Sequence, residues 1–117
     1  MSDDISAYDI AEKLYRNATA DAEFRAVASR AYMAAFQHAI RHNKTNFSPQ
    51  KSSLDHRDLI KHLQSQTDQS LRRAGAALLR LRFLRNWADY DLHTPFTKKL
   101  AEEALDRAYE IIFELLP

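Results

Sequence analysis

The sequence contains no cysteine, only one glycine and three prolines among its 117 residues. Without cysteine the chain has no disulfide, no thiolate nucleophile and no zinc site with cysteine ligands, which suits a reducing compartment. So few glycines and prolines leave few points at which regular structure must break. Because 45% of the residues are hydrophobic, we expect residues 1–117 to fold as one domain with its own core.

Long apolar runs are also absent. No segment approaches the roughly 18 apolar residues that a membrane-spanning helix requires. The stretch MSDDISAYDIAEK at the N-terminus is acidic and lacks a continuous apolar run, unlike a secretory signal peptide. We therefore expect a cytoplasmic protein without a membrane partner. The sequence also has no Gly-rich phosphate loop, no nucleophile elbow and no paired-carboxylate signature, which argues against the enzyme classes that depend on them.

The net charge of +1 conceals an uneven distribution. Residues 24–85 hold 12 Lys and Arg against 3 Asp and Glu, a net charge of +9, whereas the remaining residues hold 5 against 13, a net charge of −8. Two explanations stay open. The basic middle can form a face that binds a polyanion, or the helices can pair through complementary charge within one fold or dimer.

Apolar residues recur every three or four positions, and no stretch alternates as a strand does. This pattern predicts an all-α fold, an up-and-down antiparallel bundle of about five helices. The first predicted helix is Ser6–Ala18, with a capping box formed by Ser6 and Asp9, and the second runs from Thr19 or Asp21 to His42. The third is Ser53–Gln64, and the fourth begins at Thr67. The fifth has Thr94 as its cap and Pro95 as its first residue. Residues 43–53 are predicted to be a loop.

An arginine interrupts the apolar stripe of the predicted fourth helix. Leu71, Leu78, Arg85 and Leu92 are spaced seven residues apart, so Arg85 stands where a core residue is expected. Burying an unpaired charge costs several kcal/mol. Arg85 can form an ion pair with Asp89 one turn on, line a recess or dimer cleft that binds phosphate, or extend to solvent.

Other polar residues of this segment are candidates for the same site. His93 can transfer protons near neutral pH, or can simply be a favourable cation at a helix C-terminus. Asn86 can donate to a phosphate or base, and Tyr90 can present its hydroxyl or pack as an edge residue. Trp87 can stack on bases or be buried against a neighbouring helix. The four arginines Arg72, Arg73, Arg80 and Arg82 surround their helix, as a solvated face or as RNA contacts.

His38 and His42 are spaced as a pair on one helix face. Such a pair can hold a metal ion, but the Glu of the zinc-protease motif is missing between them. A histidine on an apolar stripe is more often a hydrogen-bonded core residue, and we expect neither a metal nor a cofactor.

Two segments, taken together and in this order, resemble a known family. FRAVASRAYMAAFQHA at 24–39 and LRFLRNWADYDL at 81–92 resemble segments of the HEPN domains (higher eukaryote and prokaryote nucleotide-binding). The resemblance implies an antiparallel helical bundle that forms a homodimer. It also implies RNA binding and, as in many members, a metal-independent endoribonuclease of a toxin–antitoxin or defence system, paired with a nucleotidyltransferase-type antitoxin or another protein partner.

The family's active-site motif is an Arg, a polar residue and, after four to six intervening residues, a His. Arg85 and Asn86 match its beginning, but seven residues separate Arg85 from His93, and Tyr90 stands at the four-residue spacing. The resemblance implies that the site is catalytic, with Arg85, Asn86, His93 and Tyr90 as its candidate residues, and we expect Arg82 and Asp89 to help bind the substrate. The RNA 2′-hydroxyl would attack the neighbouring phosphate while Arg85 stabilises the developing charge and His93 transfers a proton. The alternative is a non-catalytic helical module that binds a partner protein or a nucleotide.

Overall fold

Five α-helices make up the computed structural model, which describes residues 3–117, with side chains from Ser6 onward. They are α1 (Asp3–Asn17), α2 (Asp21–Arg41), α3 (Asp55–Gln64), α4 (Gln69–Tyr90) and α5 (Lys98–Tyr109). A 3₁₀ turn, Asn43–Thr45, follows α2, and a π-helical turn, Glu110–Leu115, extends α5. Residues 3–117 contain no strand, so the predicted all-α bundle of five helices is confirmed.

Long-range contacts fix the relative directions of the helices. Arg80 pairs with Glu103 and Arg73 with Glu110, so α4 and α5 are antiparallel. The helix α3 begins where His56 contacts Tyr32 and ends near Thr45, to which His62 is hydrogen-bonded. It therefore runs in the same sense as α2, and the loop between α2 and α3 folds back along the end of α2.

The core is centred on α2, which contacts α1, α4 and α5. Its buried face is rich in alanine, which allows neighbouring helices to approach closely; the buried alanines are Ala28, Ala31, Ala34, Ala35 and Ala39. Leucines of α3 and α4, among them Leu59, Leu63, Leu78, Leu81 and Leu84, complete the core opposite them.

The predicted starts of α1 and α4 differ from the structure. The helix α1 begins at Asp3, so Ser6 lies inside it and the predicted capping box of Ser6 and Asp9 is wrong. The helix α4 is capped by Asp68 rather than Thr67, because the Asp68 carboxylate accepts a hydrogen bond from the N–H of Leu71 at 3.1 Å.

The predicted start of α5 at Thr94-Pro95 is also wrong. Thr97 is the N-cap, and its hydroxyl accepts a hydrogen bond from the N–H of Leu100 at 3.3 Å. The chain stays extended through Pro95 because Phe96 is buried and its N–H donates to Asp21 at 2.7 Å. This tertiary anchor overrides the local signal of a Thr followed by a Pro.

Ion pairs join arginines of the basic α4 to carboxylates of α5 and its extension. The Arg80 guanidinium makes two hydrogen bonds, of 2.7 and 2.8 Å, to the Glu103 carboxylate. These bonds hold the pKa of Glu103 below its usual value. The second explanation for the uneven charge is thus confirmed for these helices. None of the helices formed by residues 3–117 has both the length and the apolar character needed to cross a bilayer.

Candidate functional site

Arg85 lies at the edge of the buried face of α4, in its penultimate turn. The buried residues around it are Leu81, Leu84 and Ala88, which follow the 3.6-residue period of a straight helix. A strict seven-residue repeat drifts about 20° per repeat from that period. Arg85 is therefore carried to the rim of the core, and its side chain remains 26% exposed.

A carboxylate and two aromatic rings hold the Arg85 guanidinium in place. Its Nε lies 2.8 Å from Oδ2 of Asp89, which confirms the ion pair predicted from their spacing. The buried Nε–H is not aligned with an acceptor, so this is a contact between charges rather than a directed hydrogen bond. The guanidinium carbon lies 5.3 Å from the ring centre of Tyr90 and 5.9 Å from that of Tyr32. It is therefore pre-positioned without being sealed from solvent.

Asn86 and Ser29 complete the immediate surroundings of Arg85. The Asn86 side-chain oxygen accepts a hydrogen bond of 3.2 Å from Nη1 of Arg85. The Ser29 hydroxyl, on α2, donates to Oδ2 of Asp89 at 3.3 Å. The structure thus brings together four of the predicted site residues, Arg85, Asn86, Asp89 and Tyr90, on one side of α4.

His93 is not brought to Arg85 within the chain. It is exposed in the segment 91–97 that connects α4 to α5. Within residues 3–117, no hydrogen bond or ion pair joins His93 to Arg85. A site that uses both residues would need a contribution from a second protomer or a rearrangement of this segment.

A different histidine, His56 on α3, lies close to Arg82 and Arg85. The Tyr32 hydroxyl and Nδ1 of His56 are 2.6 Å apart, and the His56 ring stacks on Phe36 at 4.0 Å between centres. Burial lowers the pKa of His56, and the positive charges of Arg82 and Arg85 lower it further. Burial raises the pKa of Tyr32 to about 12, although the same two arginines oppose that shift. Burial and the two arginines thus favour the neutral form of the His56 ring.

His56 was missed by the sequence analysis, although a signal was present. Its position matches the apolar stripe of α3, where Ile60 and Leu63 lie four and seven residues on and are buried. A half-buried histidine on such a stripe requires a polar partner. That partner, Tyr32, lies 24 residues earlier in the chain and has no local spacing to reveal it.

The segment that carries His93 is held by a second arginine that the sequence analysis also missed. Arg25, on α2, is only 8% exposed. Its guanidinium donates hydrogen bonds to four backbone carbonyls at the end of α4 and just beyond, those of Trp87, Ala88, Asp91 and Thr94. It also pairs with Asp21. A cation at a helix C-terminus satisfies carbonyls that have no partner within the helix.

An open groove of about 650 Å³ adjoins Arg85 through Asn86 and Tyr90, and we call it the α4 groove. It is lined by Phe83, Asn86, Trp87, Tyr90, Asp91 and Thr94. The Trp87 ring is partly buried, edge-on to Phe96 at 5.8 Å, and its indole N–H donates to the Thr94 carbonyl at 3.4 Å. Phe83 and Tyr90 are 54% and 70% exposed. Tyr90 is thus shared between this groove and Arg85.

His38 and His42 contact the backbone at the other end of α2. The ring of His38 is hydrogen-bonded to the carbonyl of Leu116, and that of His42 to the carbonyl of Pro117 at 3.1 Å. Among the residues that the structure describes, no three His, Cys, Asp or Glu side chains are grouped as metal ligands would be.

Comparisons with models of protein families, with curated protein sequences and with solved structures give no match to this chain.

Proposed function

We propose that this protein is a HEPN-like homodimer that acts on RNA, and that Arg85 is the group that binds the RNA phosphate. The observation that supports this proposal best is the geometry of Arg85. A guanidinium at the core rim is oriented by Asp89, Tyr32 and Tyr90, yet its side chain stays 26% exposed. A planar guanidinium offers a phosphate two parallel hydrogen bonds, and pre-orientation lowers the entropy lost on binding.

The surroundings of Arg85 suit RNA. Arg82 lies one turn earlier on α4 and adds a second positive charge. The exposed rings of Phe83 and Tyr90 can stack on unpaired bases, and Asn86 in the α4 groove can bond to a base edge. Phosphate and base would thus be held by adjacent parts of one surface.

If the protein cleaves RNA, the reaction is a transesterification. The 2′-oxygen bonds to the neighbouring phosphorus and loses its proton to a base. The bond from phosphorus to the 5′-oxygen breaks, and that oxygen gains a proton, which leaves a 2′,3′-cyclic phosphate and a 5′-hydroxyl. Arg85 would stabilise the charge on the phosphoryl oxygens. His93 of the second protomer, or His56 of the same chain, would transfer the protons, with Tyr90 or Asn86 orienting the phosphate.

The test is cleavage of pooled tRNA and mRNA in EDTA. It compares the wild type with Arg85→Ala, His93→Ala and His56→Ala. The matched control is Arg16→Ala, because Arg16 is also an arginine in an ion pair four residues along a helix, with Glu12 at 2.8 Å, but it lies on α1. We expect Arg85→Ala to lose about 100-fold or more in cleavage rate and Arg16→Ala to retain the wild-type rate.

The two histidine variants identify the proton-transfer residue. Loss of cleavage in His93→Ala supports the site implied by the HEPN resemblance. Loss in His56→Ala alone would assign proton transfer to His56 on α3 instead. A wild-type protein that neither binds nor cleaves RNA would overturn the proposal.

A second candidate function is a non-catalytic interaction module with a protein partner. It is favoured by exposed apolar residues on and just after α4: Leu79, Phe83, Tyr90 and Leu92 are 50% to 70% exposed. Exposed apolar surface of this kind often marks a protein interface. A wild-type protein that dimerises in solution but neither binds nor cleaves RNA would support this function instead.

A further inference from the structure

A second concave site lies between the C-terminal half of α2 and the start of α3, and we call it the α2–α3 recess. Its volume is about 570 Å³, within the range of pockets that bind small molecules. Phe36, Ile40 and Pro49 form its apolar wall, and Arg41, Lys51 and His56 also line it. The proposed RNA site shares only His56 with this recess, as a candidate for proton transfer.

The loop at its mouth is fixed by a buried carboxylate. Asp55 is only 4% exposed, and its two oxygens accept hydrogen bonds from the N–H groups of Gln50 and Lys51, each at 2.8 Å. Lys51 has a φ of 58°, in the left-handed region that a residue with a long side chain rarely adopts. The carboxylate therefore holds the loop in a conformation that costs energy, which is typical of functional sites.

The polar groups of the recess favour an anion. Lys51 supplies a positive charge, whereas the Asp55 carboxylate is occupied by backbone N–H groups. The hydroxyls of Ser52 and Ser53 also line the recess and can donate hydrogen bonds. Charge-assisted hydrogen bonds from such groups are the usual means of binding a phosphate.

His56 adds an oriented polar group. A hydrogen bond of 2.6 Å joins its Nδ1 to the Tyr32 hydroxyl. Because Nδ1 is engaged by Tyr32, Nε2 is the ring nitrogen that His56 offers to a ligand in the recess. The stack of His56 on Phe36, with ring planes 14° apart, fixes the direction of this nitrogen.

We propose that the α2–α3 recess binds a phosphate monoester with an apolar or aromatic body. Lys51 binds the phosphate, with the two serines as further donors and His56 as a further polar contact. The apolar wall of Phe36, Ile40 and Pro49 packs against the body of the ligand. This site does not depend on Arg85, so it can exist whether or not the protein acts on RNA.

The test measures binding of phenyl phosphate to the whole chain by calorimetry, with inorganic phosphate and phenol as partial ligands. The variant is Lys51→Asn, since asparagine tolerates a positive φ while the ammonium is removed. The matched control is Lys61→Ala, an exposed lysine of α3 outside the recess. We expect phenyl phosphate to bind more tightly than either partial ligand. Lys51→Asn should weaken the binding of phenyl phosphate about tenfold or more. The variant Lys51→Arg should keep most of the wild-type affinity, and Lys61→Ala should leave the affinity unchanged.

The ring signals of His56 in an NMR titration report the location directly. They should shift on addition of phenyl phosphate, and Arg85→Ala should not prevent the shift. Competition by 5′-phosphorylated but not 5′-hydroxyl RNA identifies an RNA end as the source of the monoester, and lack of competition by both identifies a free small molecule. Absence of phenyl phosphate binding to the wild type, or equal weakening by Lys61→Ala, would overturn the proposal.

Discussion

Arg25 and Arg85 are both arginines on apolar helix faces, but they are used differently. Arg25 is 8% exposed and donates to four carbonyls besides pairing with Asp21. Each nitrogen of its guanidinium therefore already has a partner within the fold. Arg85 has one carboxylate partner and one amide contact and is 26% exposed at its side chain. This difference is why Arg85, and not Arg25, is the residue proposed to bind a ligand.

The same pair of residues shows what sequence can reveal about single side chains. The contact between Arg85 and Asp89 was predicted because both residues lie on one helix, four positions apart. The carbonyls that bind Arg25 lie 62 to 69 residues away along the chain, and His56 finds Tyr32 at a separation of 24 residues. Such partners depend on the packing of whole helices, so no local spacing predicts them.

His56 should make stability depend on pH. Because its pKa is lowered in the folded protein, the stabilisation is present above pH 6.5, the usual value, and is lost as the pH falls through the folded pKa. The variant His56→Phe keeps the stack on Phe36 and removes the titration. We expect it to lower the free energy of unfolding by about 1–3 kcal/mol at neutral pH, because the buried Tyr32 hydroxyl loses its partner.

The measurement is urea unfolding at a series of pH values from about 7.5 down to about 5. The wild type should lose stability below pH 6.5, and His56→Phe should lose less. His93→Gln is the control, since His93 is exposed, and it should follow the wild type. The same pH dependence in His56→Phe and the wild type would show that His56 is not held neutral by burial.

At the scale of elements, apolar periodicity predicted the number and order of helices, because each helix buries one face. The ends were less predictable. Thr94-Pro95 has the local chemistry of a helix start, yet the burial of Phe96 and the bond from its N–H to Asp21 delay α5 until Lys98. The loop at 43–53 was predicted, but the shape that Asp55 gives it depends on a side chain outside it.

The single glycine gives a test of helix packing. Gly75 faces α3, and a Cβ built on it would lie 3.0 Å from the side chain of Leu63 and 3.1 Å from the backbone nitrogen of Gln64. In an exposed helix, Gly→Ala would stabilise by about 1 kcal/mol. We expect Gly75→Ala to lower the melting temperature instead, because α3 must move away from α4. The neighbouring Ala76→Gly, at an exposed position, should cost about 1 kcal/mol through helix propensity alone. A melting temperature for Gly75→Ala above that of the wild type would contradict this account of the contact.

At the scale of the whole molecule, ion pairs within the fold explain part of the uneven distribution of charge along the chain. Arg80 and Arg73 of α4 pair with Glu103 and Glu110 on α5 and its extension, so part of the basic middle serves the fold. The cluster of Arg82 and Arg85 lies on another side of α4, next to Tyr32 and His56. Net charge counts could not separate these uses, because they depend on which face each arginine occupies.

The central claim is that Arg85 binds the phosphate of RNA, and the salt dependence of RNA binding tests it most directly. A labelled single-stranded RNA is titrated with the wild type, Arg85→Ala, Arg85→Lys and Arg16→Ala at salt concentrations from about 50 to 200 mM, with fluorescence anisotropy as the readout. We expect Arg85→Ala to bind more weakly and to reduce the slope of log K against log salt by about 0.7, the contribution of one phosphate contact on a single strand. Arg85→Lys should keep the slope and lose part of the affinity, because it keeps the charge but not the planar fork. Arg16→Ala should match the wild type; equal affinity and slope for Arg85→Ala and Arg16→Ala would contradict the claim.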